Sequence, residues 1–162
     1  MPGQDIINYA RRGDLKKVEE CITNGDDINV TDDYGWTALM YASTHGLEQV
    51  MMSLIAAHAD INVTDNNGMT ALMKASKNGH QPVVESLIAG HADINVTHNW
   101  GWTALMCAFA NGKVESVKVL IQNQANLLLK TTKDFFNDIK KGSSILDIAY
   151  NKNRHNTVIE LI

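Results

Sequence analysis

"DINVTDDYGWTALMYASTHGLEQVMMSLIAAHA", residues 27–59, decides how the chain is read, because two near copies follow it directly. Residues 60–92 are "DINVTDNNGMTALMKASKNGHQPVVESLIAGHA", and residues 93–125 are "DINVTHNWGWTALMCAFANGKVESVKVLIQNQA". The period is 33 residues, and the first two copies agree at 21 of 33 positions. A repeat of this length is one supersecondary unit, too small to bury its own apolar face, so it must stack on its neighbours.

Within each copy the polar start is rich in turn formers, with Asn29, Asp33 and Gly35 at turn-favoured places. Thr37 stands where a helix N-cap hydroxyl is wanted, opening "TALMYAST". His45-Gly46 breaks that helix. A second helix follows, with Val50, Met51, Leu54 and Ile55 forming one apolar stripe. Ala42, Ala75 and Ala108 recur inside the first helix and let neighbouring helices approach closely.

A 33-residue period with Gly-x-Thr-Ala-Leu, an Ala-rich first helix, Gly, and a Val/Leu/Ile second helix resembles the ankyrin-repeat family. The resemblance covers residues 5–162 and rests on three registered copies. It implies an all-α solenoid of stacked helix-turn-helix units with projecting β-turn fingers, about five repeats including caps. The family's Thr-Pro-Leu-His is here Thr-Ala-Leu-Met, which makes Met40, Met73 and Met106 a packing column. The family's glycine after the second helix is present as Gly25, but His58, His91 and Gln124 take its place later. If those three keep a positive φ, each carries strain.

The chain is expected to be a single domain. Residues 1–26 form an N-terminal capping helix pair, solvated by Arg11, Arg12, Lys16, Lys17, Glu19 and Glu20. Residues 27–59, 60–92 and 93–125 are full repeats. Residues 126–162 are a C-terminal repeat with an eight-residue finger insertion, because Gly142 comes late and Ser144 then stands where the other copies have threonine.

Composition narrows the function. The 162 residues hold 14 Lys and Arg against 18 Asp and Glu, a net charge of -4 with no basic run, so nucleic acid is not the expected ligand. No apolar stretch approaches the roughly 20 residues that span a bilayer, so no membrane partner is expected. The N-terminus lacks the basic-then-apolar order of a secretory signal. Cys21 and Cys107 make neither a disulfide framework nor a metal-ligand pair and read as small buried hydrophobes. A cytoplasmic location follows, with a periplasmic or secreted protein whose signal was removed as the alternative.

The resemblance also implies where a partner is held: on the finger tips and the last turn of each first helix. Carried across, this gives the columns Asp33, Asn66, Asn99; Tyr34, Asn67, Trp100; and Trp36, Met69, Trp102. The helix ends add Thr44 and Lys77 with Ala110, then His45, Asn78 and Asn111. All three tryptophans fall in these columns. Of the 12 differences between the first two copies, half fall at such places: positions 33, 34, 36, 41, 44 and 45. An aromatic ring buries roughly 150–250 Å², and aromatic rings supply much of the energy at protein interfaces. Against this stands the reading that Trp36, Met69 and Trp102 pack on one another across repeats.

The insertion "TTKDFFNDIKKGSS", residues 131–144, carries Phe135 and Phe136, either a second contact or a cover for the terminal repeat. Its lysines and aspartates read as a solvated face. His58 and His91 are one period apart and have no cluster of ligands around them, so no metal is expected. Asn-Val-Thr at 29, 62 and 95 is formally a glycosylation signal and reads as turn chemistry. Those asparagines also resemble the ones that some eukaryotic hydroxylases modify in ankyrin repeats.

No catalytic motif appears, and a solenoid's open face encloses a small substrate poorly. The expected function is a non-catalytic adaptor, monomeric on its own and without cofactor. It would hold a folded protein partner and act as an inhibitor or a scaffold. The alternative is an ankyrin-repeat fragment of a larger effector or signalling protein whose catalysis lies outside these residues.

Overall fold

Thr37, Thr70 and Thr103 each begin a helix in the same way: the hydroxyl oxygen accepts a hydrogen bond from Met40 N, Met73 N or Met106 N, all at 3.3 Å. Each cap satisfies one of the donors a helix start leaves open. The computed structural model describes residues 4–133, 140–145 and 147, and among these residues it contains eight helices and no strand. They are α1 (Gln4–Arg12), α2 (Leu15–Thr23), α3 (Ala38–His45), α4 (Glu48–Ala56), α5 (Ala71–Asn78), α6 (Gln81–Ala89), α7 (Ala104–Ala110) and α8 (Val114–Gln122).

Helices α1, α3, α5 and α7 pack side by side as one layer, and α2, α4, α6 and α8 form the other. The molecule is an all-α repeat solenoid. Ala10, Ala42, Ala75 and Ala108 are fully buried between the first-layer helices, where a larger side chain would hold them apart. Met40, Met73 and Met106 are each 1% exposed, so that column is a packing position. The second layer contributes Val50, Met51 and Leu54, then Val83, Val84 and Leu87, then Val117, Val119 and Leu120.

Polar side chains fasten one unit to the next. Asn29, Asn62 and Asn95 are exposed, and each Oδ1 accepts from the backbone N–H of Asp60, Asp93 or Asn126, at 2.9, 2.9 and 2.8 Å. The Asn-Val-Thr runs therefore serve as inter-unit ties. His80 Nε2 lies 2.9 Å from Thr44 O and links the α5–α6 corner to the end of α3. Near the end of the described chain, Ser144 N and Oγ donate to Asp147 Oδ2 at 2.7 Å each, and Asp147 N returns a bond to Ser144 Oγ. That is a reciprocal capping box.

His58, His91 and Gln124 have φ of 64°, 67° and 64°, the left-handed region that glycine adopts freely, as Gly25 does at 77°. The left-handed conformation costs an L-residue about 1–2 kcal/mol, against the extra entropy glycine loses on folding, roughly 0.5–1 kcal/mol. His91 is exposed, so its ring contributes little packing. His91→Gly is therefore expected to raise stability by about 0.5–1 kcal/mol, read from the midpoint of urea denaturation. A fall in the midpoint would contradict a strained backbone there.

Candidate partner-binding face

The turns before α3, α5 and α7 are closed by one side chain each. Asp32 Oδ1 accepts from Tyr34 N and Trp36 N, both at 2.9 Å, and Asp65 Oδ1 accepts from Asn67 N and Met69 N, both at 2.9 Å. In the next turn His98 takes over: its Nδ1 accepts from Trp100 N at 3.0 Å and Trp102 N at 3.2 Å. After it, Thr131 N donates to Ser143 O at 3.0 Å, spanning the intervening loop.

Adjacent turns are also laced together. Asn66 N donates to Tyr34 O, Asn99 N to Asn67 O and Thr132 N to Trp100 O, at 3.1, 3.0 and 2.9 Å. Asn66 Nδ2 reaches Asp33 O at 2.9 Å, and Asn99 Nδ2 reaches Asn66 O at 3.1 Å. Asn66 and Asn99 are exposed, yet their amides hold the row of turns in register.

The column after the glycine behaves differently from a contact column. Trp102 is 3% exposed, so its ring belongs to the core and is not an open contact surface. Trp36 is half-buried, its ring 4.8 Å from that of Tyr41 by centroids, with Lys74 Nζ 3.3 Å from its own centroid. Met69 is also half-buried against the core. For Trp36 the cause is position: it immediately precedes the N-cap Thr37, and a large side chain there folds back onto the helix's fourth residue as a hydrophobic staple. Trp36 meets Tyr41 by that rule. The five-residue spacing from Trp36 to Tyr41 was the available signal in the sequence, and of this column Trp102 alone is corrected from an exposed contact to a buried ring.

Tyr34 and Trp100, at the tips, stand 71% and 41% exposed. Asp33, Asn67, His45, Lys77, Asn78 and Asn111 are exposed around them, while Thr44 is half-buried with its hydroxyl donating to Met40 O. Asn78 Nδ2 and Asn111 Nδ2 donate to Lys74 O and Cys107 O, at 2.9 and 2.8 Å. Phe135 and Phe136 lie outside the described residues.

Beneath the tips runs a pairing that the sequence reading did not find. Tyr41 Oη donates to Asp32 Oδ2 at 2.7 Å, and one unit later Lys74 Nζ bonds Asp65 Oδ2 at 2.7 Å with both residues buried. The partners are nine residues apart in each case. Burial and the bond to Asp32 push the Tyr41 hydroxyl up to about 12. Burial works against the Asp32 carboxylate, but the Tyr41 hydroxyl and the N–H groups of Trp36 and Tyr34 hold it below the usual range. Burial likewise lowers Lys74 from its ordinary value, in spite of Asp65. The corresponding residues of the third copy, His98 and Cys107, both line a cavity of about 520 Å³ that also touches Met69, Lys77, Trp100 and Trp102. Among the described residues no group of three or more His, Cys, Asp or Glu could hold a metal ion. No described helix is long and apolar enough to cross a membrane.

A stack of capped helix pairs, tied turn to turn, defines a repeat solenoid. The chain belongs to the ankyrin-repeat family: the family described as Ankyrin repeats (3 copies) matches residues 6–98 and again residues 80–162. Domains of this family are generally protein–protein interaction modules. No curated protein sequence matches the chain.

Proposed function

We propose that this domain captures a folded protein partner on the ridge of turn tips, with Tyr34 and Trp100 as its two anchors. The observation that carries the reading is their exposure, 71% and 41%, in a frame that turns Trp102 inward and covers Trp36. The two rings sit in the same register two units apart, roughly 16–20 Å if stacked helices lie 8–10 Å apart. Between and beside them lie Asn67, His45, Lys77, Asn78 and Asn111, a polar rim around apolar anchors. The module acts as a non-catalytic adaptor, and it inhibits whichever partner presents a functional surface to the ridge.

Each ring covered by a partner contributes at the level of an interface hot spot, about 2 kcal/mol or more. Tyr34→Ser and Trp100→Ser are therefore each expected to weaken partner binding by about thirtyfold. Their folding stability should stay within about 0.5 kcal/mol of the parent, because neither tip ring is core. Capture from native lysate, followed by titration of the captured protein, checks this. Met52→Ser is the control, since Met52 is 54% exposed on the other helix layer. Capture that survives the double substitution Tyr34→Ser, Trp100→Ser contradicts the reading, as does capture lost in Met52→Ser alone.

A further inference from the structure

The corner between turn and first helix is filled in the first two copies and open in the third. Tyr41 fills the first by reaching Asp32, and Lys74 fills the second by reaching Asp65 and lying over Trp36. In the third, Cys107 stands where Tyr41 and Lys74 stand, Ala110 stands where Thr44 and Lys77 stand, and the preceding copy presents Met69 where it presents Trp36 to the second corner. Each exchange removes side-chain volume. The cavity of about 520 Å³ lies where the long side chain is missing, walled by Met69, Trp102 and Cys107. Its size is that of a ligand site.

The polarity of the corner is reversed as well. In the second copy the turn residue is an acceptor, Asp65, holding a cation. His98 uses Nδ1 to accept the N–H groups of Trp100 and Trp102, so a neutral ring carries its proton on Nε2 and has only a donor left to offer. Burial lowers the His98 pKa, which keeps the ring neutral at pH 7. Lys77, exposed at the edge of the same cavity, adds an ammonium. Burial pushes the Cys107 thiol up to about 12, so it is an apolar wall and neither a nucleophile nor a thiolate ligand. Among the described residues, Asp65 already holds Lys74, which leaves a second cation no counter-charge in this corner.

We infer that this cavity is a socket for a carboxylate on an apolar arm, supplied by an acidic side chain of the protein partner. His98 Nε2–H and the Lys77 ammonium meet the carboxylate, and Met69, Trp102 and Cys107 enclose the arm. The source of the carboxylate rests on the docking reading above; the chemistry of the socket does not, and can be measured without the partner.

The test is an NMR titration of the whole chain with three blocked dipeptides: acetyl-Phe-Glu-amide, acetyl-Phe-Gln-amide and acetyl-Phe-Lys-amide. The glutamate peptide is expected to shift the Met69 methyl and His98 ring signals. The glutamine and lysine peptides should bind about tenfold more weakly, because each lacks a charge-assisted bond. His98→Asp keeps the turn's acceptor, as Asp32 and Asp65 do, but removes the donor, and glutamate binding should fall about tenfold or more. His98→Asp with Cys107→Lys rebuilds the second corner in the third, and no peptide should then move Met69. Equal binding of the glutamate and lysine peptides, full binding by the His98→Asp variant, or no shift at all would each overturn the socket. Partner capture that survives the rebuilt corner yet fails in Trp100→Ser would overturn the socket while leaving the ridge as the docking surface.

Discussion

Lys74→Met is expected to lower folding stability by about 3–5 kcal/mol, because it leaves the Asp65 carboxylate buried without its cation. Methionine nearly matches the lysine stem in shape, so the loss isolates charge from volume. Asp65 would keep only the N–H groups of Asn67 and Met69. Trp36 would also lose the ammonium 3.3 Å from its ring centroid, a contact worth up to about 2 kcal/mol when desolvated. For a chain of this length the melting temperature should fall by roughly 10 °C. Adding Asp65→Asn to Lys74→Met should recover part of that loss, since no unpaired charge then remains and the asparagine oxygen still closes the turn. Thermal denaturation of the single and double variants checks both statements. A Lys74→Met protein within about 1 kcal/mol of the parent would show that the pair contributes little.

Gly68→Ala is expected to cost about 3 kcal/mol, where Gly25→Ala costs about 1 kcal/mol. Both glycines have positive φ, 78° and 77°, so the intrinsic strain of about 1–2 kcal/mol is common to them. Their surroundings differ. A Cβ on Gly68 would lie 2.8 Å from Asn99 Oδ1, 3.0 Å from Asn99 N and 3.1 Å from His98 Cα, while one on Gly25 meets nothing within 4 Å. Backbone atoms cannot swing aside, so the turns must separate and the bond from Asn99 N to Asn67 O must stretch. Forced overlap of this kind adds about 1–3 kcal/mol. Urea denaturation of the two variants reads the difference, and equal losses would mean that the turns are free to part.

The helices were legible because period and capping act locally. A 33-residue self-alignment located the units, and Thr37, Thr70 and Thr103 cap α3, α5 and α7 as their place before an apolar run implies. The strain at His58 and His91 could be read from the glycine missing there, and both have positive φ. The face was legible only in part. Tyr34 and Trp100 emerge at the tips, but Trp102, two residues from Trp100, is turned into the core. Column membership gives no direction: Trp36 folds back onto Tyr41, the fourth residue of its helix, while Trp102 stacks beside His98. The buried Lys74–Asp65 pair was hidden for a related reason. A lysine in a first helix beside Lys77 looks solvated in sequence, and only the stacking of one unit on the next brings Trp36 over it.

The most direct measurement places all three indoles at once. Tryptophan labelled with fluorine at the 5-position gives one ¹⁹F signal per residue, assigned through Trp36→Phe, Trp100→Phe and Trp102→Phe. A water-soluble paramagnet then broadens each signal according to its exposure. The signal assigned to Trp100 should broaden strongly, that of Trp102 should stay sharp, and that of Trp36 should fall between. A Trp102 signal that broadens as readily as that of Trp100 would contradict the division between exposed tips and structural frame.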